Sequence, residues 1–549
     1  MKLKNPSLTV KSFYSVLLIF ITVACNHTEK KSGVSVFRYN ESTGISSLDP
    51  AFAKNQAIMW PVHQLYNTLV EVDSNLNIVP SLAKSWDISG NNLVFTFHLR
   101  TDVFFHDNDA FPGGKGRLFK ASDVEYSLKR IIDKSVASPG AWIFNKRIDS
   151  ADGFKTIDDS TFQLKLNKPF HPVLGLLSMQ YCSVVPKEVV EKYGNEFRRH
   201  PCGTGPFKFK EWAEGQALIF TKNEHYFEKD ETGNRLPYLN AVKISFLNSK
   251  ATEFLEFQQG RLDFIDDIDA SFKDEILTKK GELRKDWIGK IILQKHPYLN
   301  IGYLGMLVDS TKAVAKSSPL INKKIRQAIN YGFNRRKMIM YLRNSIGIAA
   351  GSGFVPAGLP SFDSTSVKGY SYNPEKAKQL LKEAGYPNGN GLPAIKLLTI
   401  PQYADMGTYI ARELQEIGLN IQVEAVQKSF LLDATAKNEA NFFRASWIAD
   451  YPDAENYLSV FYSKNPSPPN YTRYKNPAFD ELYEKALQEK NDSIRFQLYR
   501  QADQIAISDA PVVPLWYDMI IHLVHTNIID FTPNGLNLLE LRRVRLISH

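Results

Sequence analysis

Cysteine is scarce: Cys25, Cys182 and Cys202 are the only three in 549 residues. That excludes a disulfide-built scaffold and a cysteine-based zinc cluster. Long apolar runs are missing too. Apart from Phe13 to Val23, no window approaches the roughly 20 uncharged residues that a membrane helix needs. Neither sign of charge dominates. Lysine and arginine total 67 against 58 acidic residues, a formal charge of +9. Removing Lys2, Lys4 and Lys11 with the N-terminal segment takes the 67 basic residues to 64, against the same 58 acidic. No basic stripe with interleaved aromatics is present, which argues against nucleic-acid binding. Catalytic signatures are also absent: there is no G-x-S-x-G, H-E-x-x-H, G-x-x-x-x-G-K-[ST] or G-x-G-x-x-G. The glycine clusters at 113–116 and 351–353 lack a strand–helix setting. His522 and His525 lie three apart in strand-like sequence, hence on opposite faces, and read as structural. Asp158-Asp159 and Asp266-Asp267 read as turns or solvated faces. No internal repeat and no low-complexity segment is found.

What remains is an ordinary globular mixture, 43% hydrophobic and 23% charged. At about 150 residues per domain the length accommodates three to four domains. Tyrosine and phenylalanine are abundant, 25 and 34, which suits wide surfaces that are partly apolar and partly wet. The N-terminus carries three lysines and no acid, then the apolar run 13–23, then Ala24-Cys25. This is the pattern of a secretory signal. Its end resembles the lipobox of bacterial lipoproteins, with Thr22 where leucine is usual and Val23 where alanine or serine is common. The resemblance implies a signal peptide over 1–24, a lipid on Cys25 and a polar tether over 25–33. Outside the cytoplasm Cys182 and Cys202 could form a bridge. The alternative is two separate buried small hydrophobes.

Periodicity places the elements. Ser35 to Asn40 reads as a strand, and 41–60 as a loop followed by a helix. Leu93, Phe95, Phe97 and Leu99 alternate with polar residues, a period-two strand. Ser122 with Glu125 reads as the capping box of a helix. Thr161 to Leu166 alternates again. Gly203-Thr204-Gly205-Pro206 is a tight turn before a strand. A helix ends near Gly260, and a strand follows over 262–268. Residues 322–341 form a basic helix pair broken near Gly332. Asn373-Pro374 starts a helix that Gly385 ends. The strand–helix–strand order over 395–426 predicts a right-handed crossover in a mixed α/β domain. A charged helical stretch (479–507), an apolar strand (512–524) and a final strand complete the chain.

Six segments, in order, resemble the peptide/nickel-type extracytoplasmic solute-binding proteins (family 5) of ABC importers. They are LVFTFHLRTDVFFHDNDAF with KASDVEYSLKR (93–130), CGTGPFKFKEW (202–212), FQQGRLDFIDDI (257–268), KKIRQAINYGFNRRKMI (323–339), NPEKAKQLLKEAGYPNGNGLP (373–393) and WIADYPDAENYLSVFYS (447–463). Asn108 stands where the family has glycine, and Asn334 where it has aspartate. The resemblance implies an α/β fold of two lobes that close on a ligand, with mixed sheets and an extra domain inserted in the first lobe. The first lobe then comprises 34–68, 200–296 and 515–549, the insert 69–199, and the second lobe 297–514.

The resemblance also nominates ligand-binding residues. Asp450 matches the acid that pairs with a peptide's ammonium, a role that fits the cost of burying an unpaired charge. Asp453 competes for that role. Arg444, three residues before Trp447, suits a carboxylate, and Trp447 suits the cleft wall. Asn40, Glu41, Tyr66 and Thr204 are further candidates. Ligand backbone would be held by strand addition at an exposed edge. The implied partners are a peptide, the importer's permease subunits and a membrane reached through Cys25. The implied protein is a periplasmic or cell-envelope monomer without cofactor or catalytic step. The alternatives within the fold are nickel chelates, haem or oligosaccharide. Seven tryptophans in the whole chain are few for an oligosaccharide cleft, and the lack of histidine in 444–457 speaks against nickel. A hydrolase or a purely structural surface lipoprotein is the remaining class.

Overall fold

The computed structural model describes residues 34–148, 151–269 and 271–547. The readings of the signal peptide, Cys25 and its tether lie outside the described residues. No helix among the described residues is long and apolar enough to cross a membrane.

Three sheets organise the chain. In the first, Val36–Asn40 pairs in parallel with Ala241–Ser245, which continues antiparallel to Ala217–Lys222 and Phe207–Ala213. The start of the chain is thus stitched to a segment some 200 residues later. The second sheet is antiparallel, in the order Ala83–Ile88, Val94–Leu99, Thr161–Lys165, Phe154–Asp158. Phe95, Phe97 and Leu99 point inward, as their alternation predicts. The core under both sheets is continuous, running from Phe37 and Trp60 through Phe97 and Phe162 to Val189.

The third sheet has seven strands and is built on two long ones, Ile291–Met306 and Val512–His525, antiparallel over most of their length. Phe264–Asp266 flanks this pair at one end. At the other end come Phe442–Ile448, Ile395–Thr399 and Ile421–Ala425. The last two run parallel and are joined by the helix Ala404–Gln415, as the spacing predicts. Register shifts fall between Pro297 and Ile301 and between Gly302 and Tyr303. A proline has no N–H for a ladder, so a bulge is the natural place for it. Separate cores cover the two faces of this sheet, one around Tyr303, Phe354 and Phe461, the other around Met306, Ile329 and Leu397.

Local signals were read correctly where they were strong. Helices Lys323–Tyr331 and Arg335–Arg343 break at Gly332, and the side chains of Asn322 and Asn334 cap them. Helix Pro374–Glu383 starts with Asn373 as cap. Three readings need correction. Helix Ala121–Ile132 has its cap position at Lys120, two residues before Ser122. Asp123 accepts the Lys120 N–H at 2.9 Å, while Glu125 turns to Lys129 and the Thr156 N–H. The strand read over 262–268 shortens to Phe264–Asp266. Cys182 and Cys202 are free buried thiols, not a disulfide. Each is committed to its own neighbourhood: Cys182 Sγ donates to the Leu176 carbonyl at 3.5 Å, Cys202 Sγ to that of His106 at 3.3 Å. Burial pushes both thiols well above the ordinary range.

Candidate functional site

The site begins with an unfinished sheet edge. Strand Phe442–Ile448 pairs along its whole length with Ile291–Met306, from Asn300 opposite Ile448 to Met306 opposite Phe442. On its other side, Ile395–Thr399 reaches it only at Phe443. Antiparallel strands point their N–H and C=O groups alternately to either side. The Ala449 N–H bonds the Leu299 carbonyl, and the Leu307 N–H bonds that of Asn441, both at 2.9 Å. That phase turns Ala445 and Trp447 toward the paired side, and Ser446 and Ile448 outward. Among the described residues no ladder covers these outward main-chain groups, and Ser446 and Ile448 are exposed.

Asp450 follows where the edge ends. No cation pairs with it among the described residues; its only hydrogen bond comes from the Asn456 Nδ2 at 3.3 Å. Asn456 in turn accepts the Trp447 indole N–H at 2.9 Å, which fixes that ring beside the carboxylate. Asp450 stays open to solvent, yet the walls around it strip enough water to hold its carboxyl above the ordinary range. The hydrogen bond from Asn456 acts in the opposite direction. A cavity of about 750 Å³ opens beside it, within the range of ligand pockets. Trp447, Asp450 and Tyr462 form one wall of it, and Trp142, Arg147 and Phe170 the other.

The other nominated residues separate into different places. Asp453 does not face the cavity. It caps helix Ala454–Leu458 by accepting the Glu455 N–H at 2.9 Å and forms a buried ion pair with Arg495. The neighbouring Glu455 is buried and accepts the hydroxyls of Tyr451 and Tyr483. Arg444 points to the sheet face opposite Trp447. Its guanidinium lies 3.7 Å from the Tyr403 ring centre and 5.6 Å from that of Trp516. Burial lowers its pKa, and its Nε has no partner.

Asn40, Glu41, Tyr66 and Thr204 lie away from this cavity. The Asn40 amide is spent on the main chain of Leu247, with bonds of 3.0 and 2.7 Å. Glu41 accepts the N–H and hydroxyl of Thr43 at 3.0 and 2.6 Å. Thr204 is 1% exposed and donates to Asn67 at 3.0 Å. Tyr66 is buried against Gly203, where an added Cβ would lie 2.5 Å from its ring. It borders a separate cavity of about 350 Å³, around the Arg542 pairs with Glu71, Glu228 and Glu540. Trp142, Arg147 and Phe170 were not singled out in the sequence. The available signal was aromatic residues set among polar loop residues (AWIFNKR and NKPFHP). Among the described residues, no group of three or more histidine, cysteine or acidic side chains is placed to hold a metal ion.

Residues 77–469 match the family model of bacterial extracellular solute-binding proteins, family 5 Middle. The chain is 30% identical over 472 residues to heme-binding protein A of Haemophilus influenzae, covering 82% of this chain and 81% of that one. It is 26% identical to di/tripeptide-binding protein 2 of Pseudomonas aeruginosa, covering 88% and 90%. Among solved structures, the periplasmic binding protein DppA from Helicobacter pylori in complex with the peptide STSA is similar at 27% identity and TM-score 0.72, covering 94% and 98%. HbpA2 from Haemophilus parasuis is similar at 25% identity and TM-score 0.81, covering 93% and 100%. With the two-lobed α/β fold of periplasmic binding proteins and a family match over most of its length, the chain belongs to the bacterial extracellular solute-binding proteins of family 5.

Proposed function

We propose that this protein captures short peptides between its lobes and delivers them to an ABC importer, tethered to a membrane by a lipid on Cys25 and acting as a monomer. The observation that carries the peptide reading is the uncovered strand edge at Ser446 and Ile448 running out to the unpaired carboxylate of Asp450. An extended backbone added to that edge gains main-chain hydrogen bonds whatever its side chains. Its terminal ammonium then supplies the counter-ion that Asp450 lacks. Relatives named for di- and tripeptides and for glutathione support the same class. The residues lining the cavity include no histidine, cysteine or methionine, the donors favoured by haem iron and nickel. No step makes or breaks a bond. Lobe closure is a two-state equilibrium that the ligand biases by binding the closed form better. The bulge at 297–301 is the hinge of that closure, with 297–514 as the second lobe and 69–199 as the insert.

The test is mass spectrometry of small molecules released when the purified protein is denatured. Short peptides with free amino termini are expected. A single non-peptide species bound in stoichiometric amount would overturn the reading.

A further inference from the structure

The cavity beside Asp450 is larger than a main chain laid on a strand edge requires, and half of its wall comes from the 69–199 segment. That wall is held in place. The His171 N–H donates to the Leu487 carbonyl at 3.0 Å, and the Asn92 Nδ2 to that of Gln488 at 3.0 Å. The Lys490 ammonium donates to the carbonyls of Ser89 and Gly90 at 3.1 and 3.2 Å. These bonds join the two walls of the pocket.

Its lining is largely polar, with Lys146, Lys168 and Lys464 at the exposed rim and three half-exposed aromatic rings among the polar groups. Trp142 faces in from one side, Trp447 and Tyr462 from the other. The Trp447 ring is fixed by Asn456. Arg147 is pinned by the carbonyls of Trp142 and Ile143, both at 3.1 Å, and lies 4.5 Å over the Phe170 ring. Side chains of an added strand alternate between the two faces of the sheet. The ligand residue beside Asp450 that points to the Trp447 face enters this pocket. Rigid aromatic rings of this kind reward a large flat apolar group, by area buried and by ring–ring geometry.

We propose that the inserted segment is a specificity wall, with Trp142 its principal reader, and that the pocket selects peptides whose amino-terminal residue is large and aromatic. This rests on the peptide reading above.

The test is calorimetric titration of the full chain with Phe-Ala-Ala and Gly-Ala-Ala, repeated with Trp142→Ala and Trp142→Phe. The expected result is a preference for Phe-Ala-Ala of about tenfold or more. Trp142→Ala should shrink it to about threefold or less by weakening Phe-Ala-Ala more than Gly-Ala-Ala, and Trp142→Phe should restore most of it. Equal binding of the two peptides overturns the inference and leaves the peptide reading standing. So does a preference that Trp142→Ala does not alter. Binding of neither peptide to the unaltered chain overturns both.

Discussion

Asp450 has given up part of its hydration without gaining a cation, and a folded protein keeps such a carboxylate at some cost to itself. Its pKa lies above the ordinary value. The fold therefore favours the neutral form, and the stability this contributes is lost as pH rises through the shifted pKa. Ligand capture has the opposite requirement, since an ammonium pairs only with the charged form. Asp450→Asn should thus weaken peptide binding by about 100-fold, within the range for truncating one partner of a desolvated charged pair, while the free chain melts no lower than the parent near pH 7. Titration calorimetry and thermal melts on the same samples check both halves. Asp503 is the second residue with a pH signature. It is fully buried, accepts the N–H groups of Phe354 and Val355 at 2.8 and 3.2 Å, and is pushed up to about 7 by desolvation. Its contribution to stability is complete below the ordinary carboxyl range and is lost as pH rises through about 7. The chain should lose thermal stability between about pH 4 and about pH 7, and Asp503→Asn should flatten that slope. An unchanged slope in the variant would exclude Asp503 as its source.

Among the elements, the long strand Ile291–Met306 depends on two glycines for close approach. A Cβ on Gly302 would lie 2.6 Å from the Trp516 ring, and one on Gly305 2.5 Å from the Phe443 ring. Gly302→Ala should destabilise the protein by about 1–3 kcal/mol, the usual cost of overpacking, as measured by denaturant unfolding. Elements were legible in the sequence where one local pattern decides them: the alternating strand over 93–99, the Asn373-Pro374 helix start, the glycine stops. The cap of helix Ala121–Ile132 was not, because Asp123 and Glu125 are both acids in the first turn. Which of them reaches back depends on Arg117, which bonds Asp123 at 2.9 and 2.7 Å. Trp447 and Asp450, close together in one continuous segment, meet beside the cavity. Asn40 and Thr204 looked like free polar groups, since a sequence does not reveal that a side chain is already spent on Leu247 or Asn67. The Trp142 wall was hidden by some 300 intervening residues, a juxtaposition only the tertiary fold creates.

At the scale of the molecule, the two long strands are continuous and their register slips beside Pro297. Rotation concentrated at that bulge would carry the sheet edge and Asp450 toward the first lobe without breaking either strand. A saturating tripeptide should therefore lower the radius of gyration in small-angle scattering. At about 100-fold excess over its Kd it should stabilise the fold by about 2.7 kcal/mol through mass action. Stabilisation with no compaction would place the ligand on one lobe alone. The central claim is that the free amino terminus of a peptide completes the charge of Asp450 at the end of an open strand edge. The most direct test is a paired titration of the protein with Ala-Ala-Ala and its N-acetyl derivative. The expected result is tight binding of the free peptide and a loss of about 100-fold on acetylation. Equal affinity for the two would contradict it.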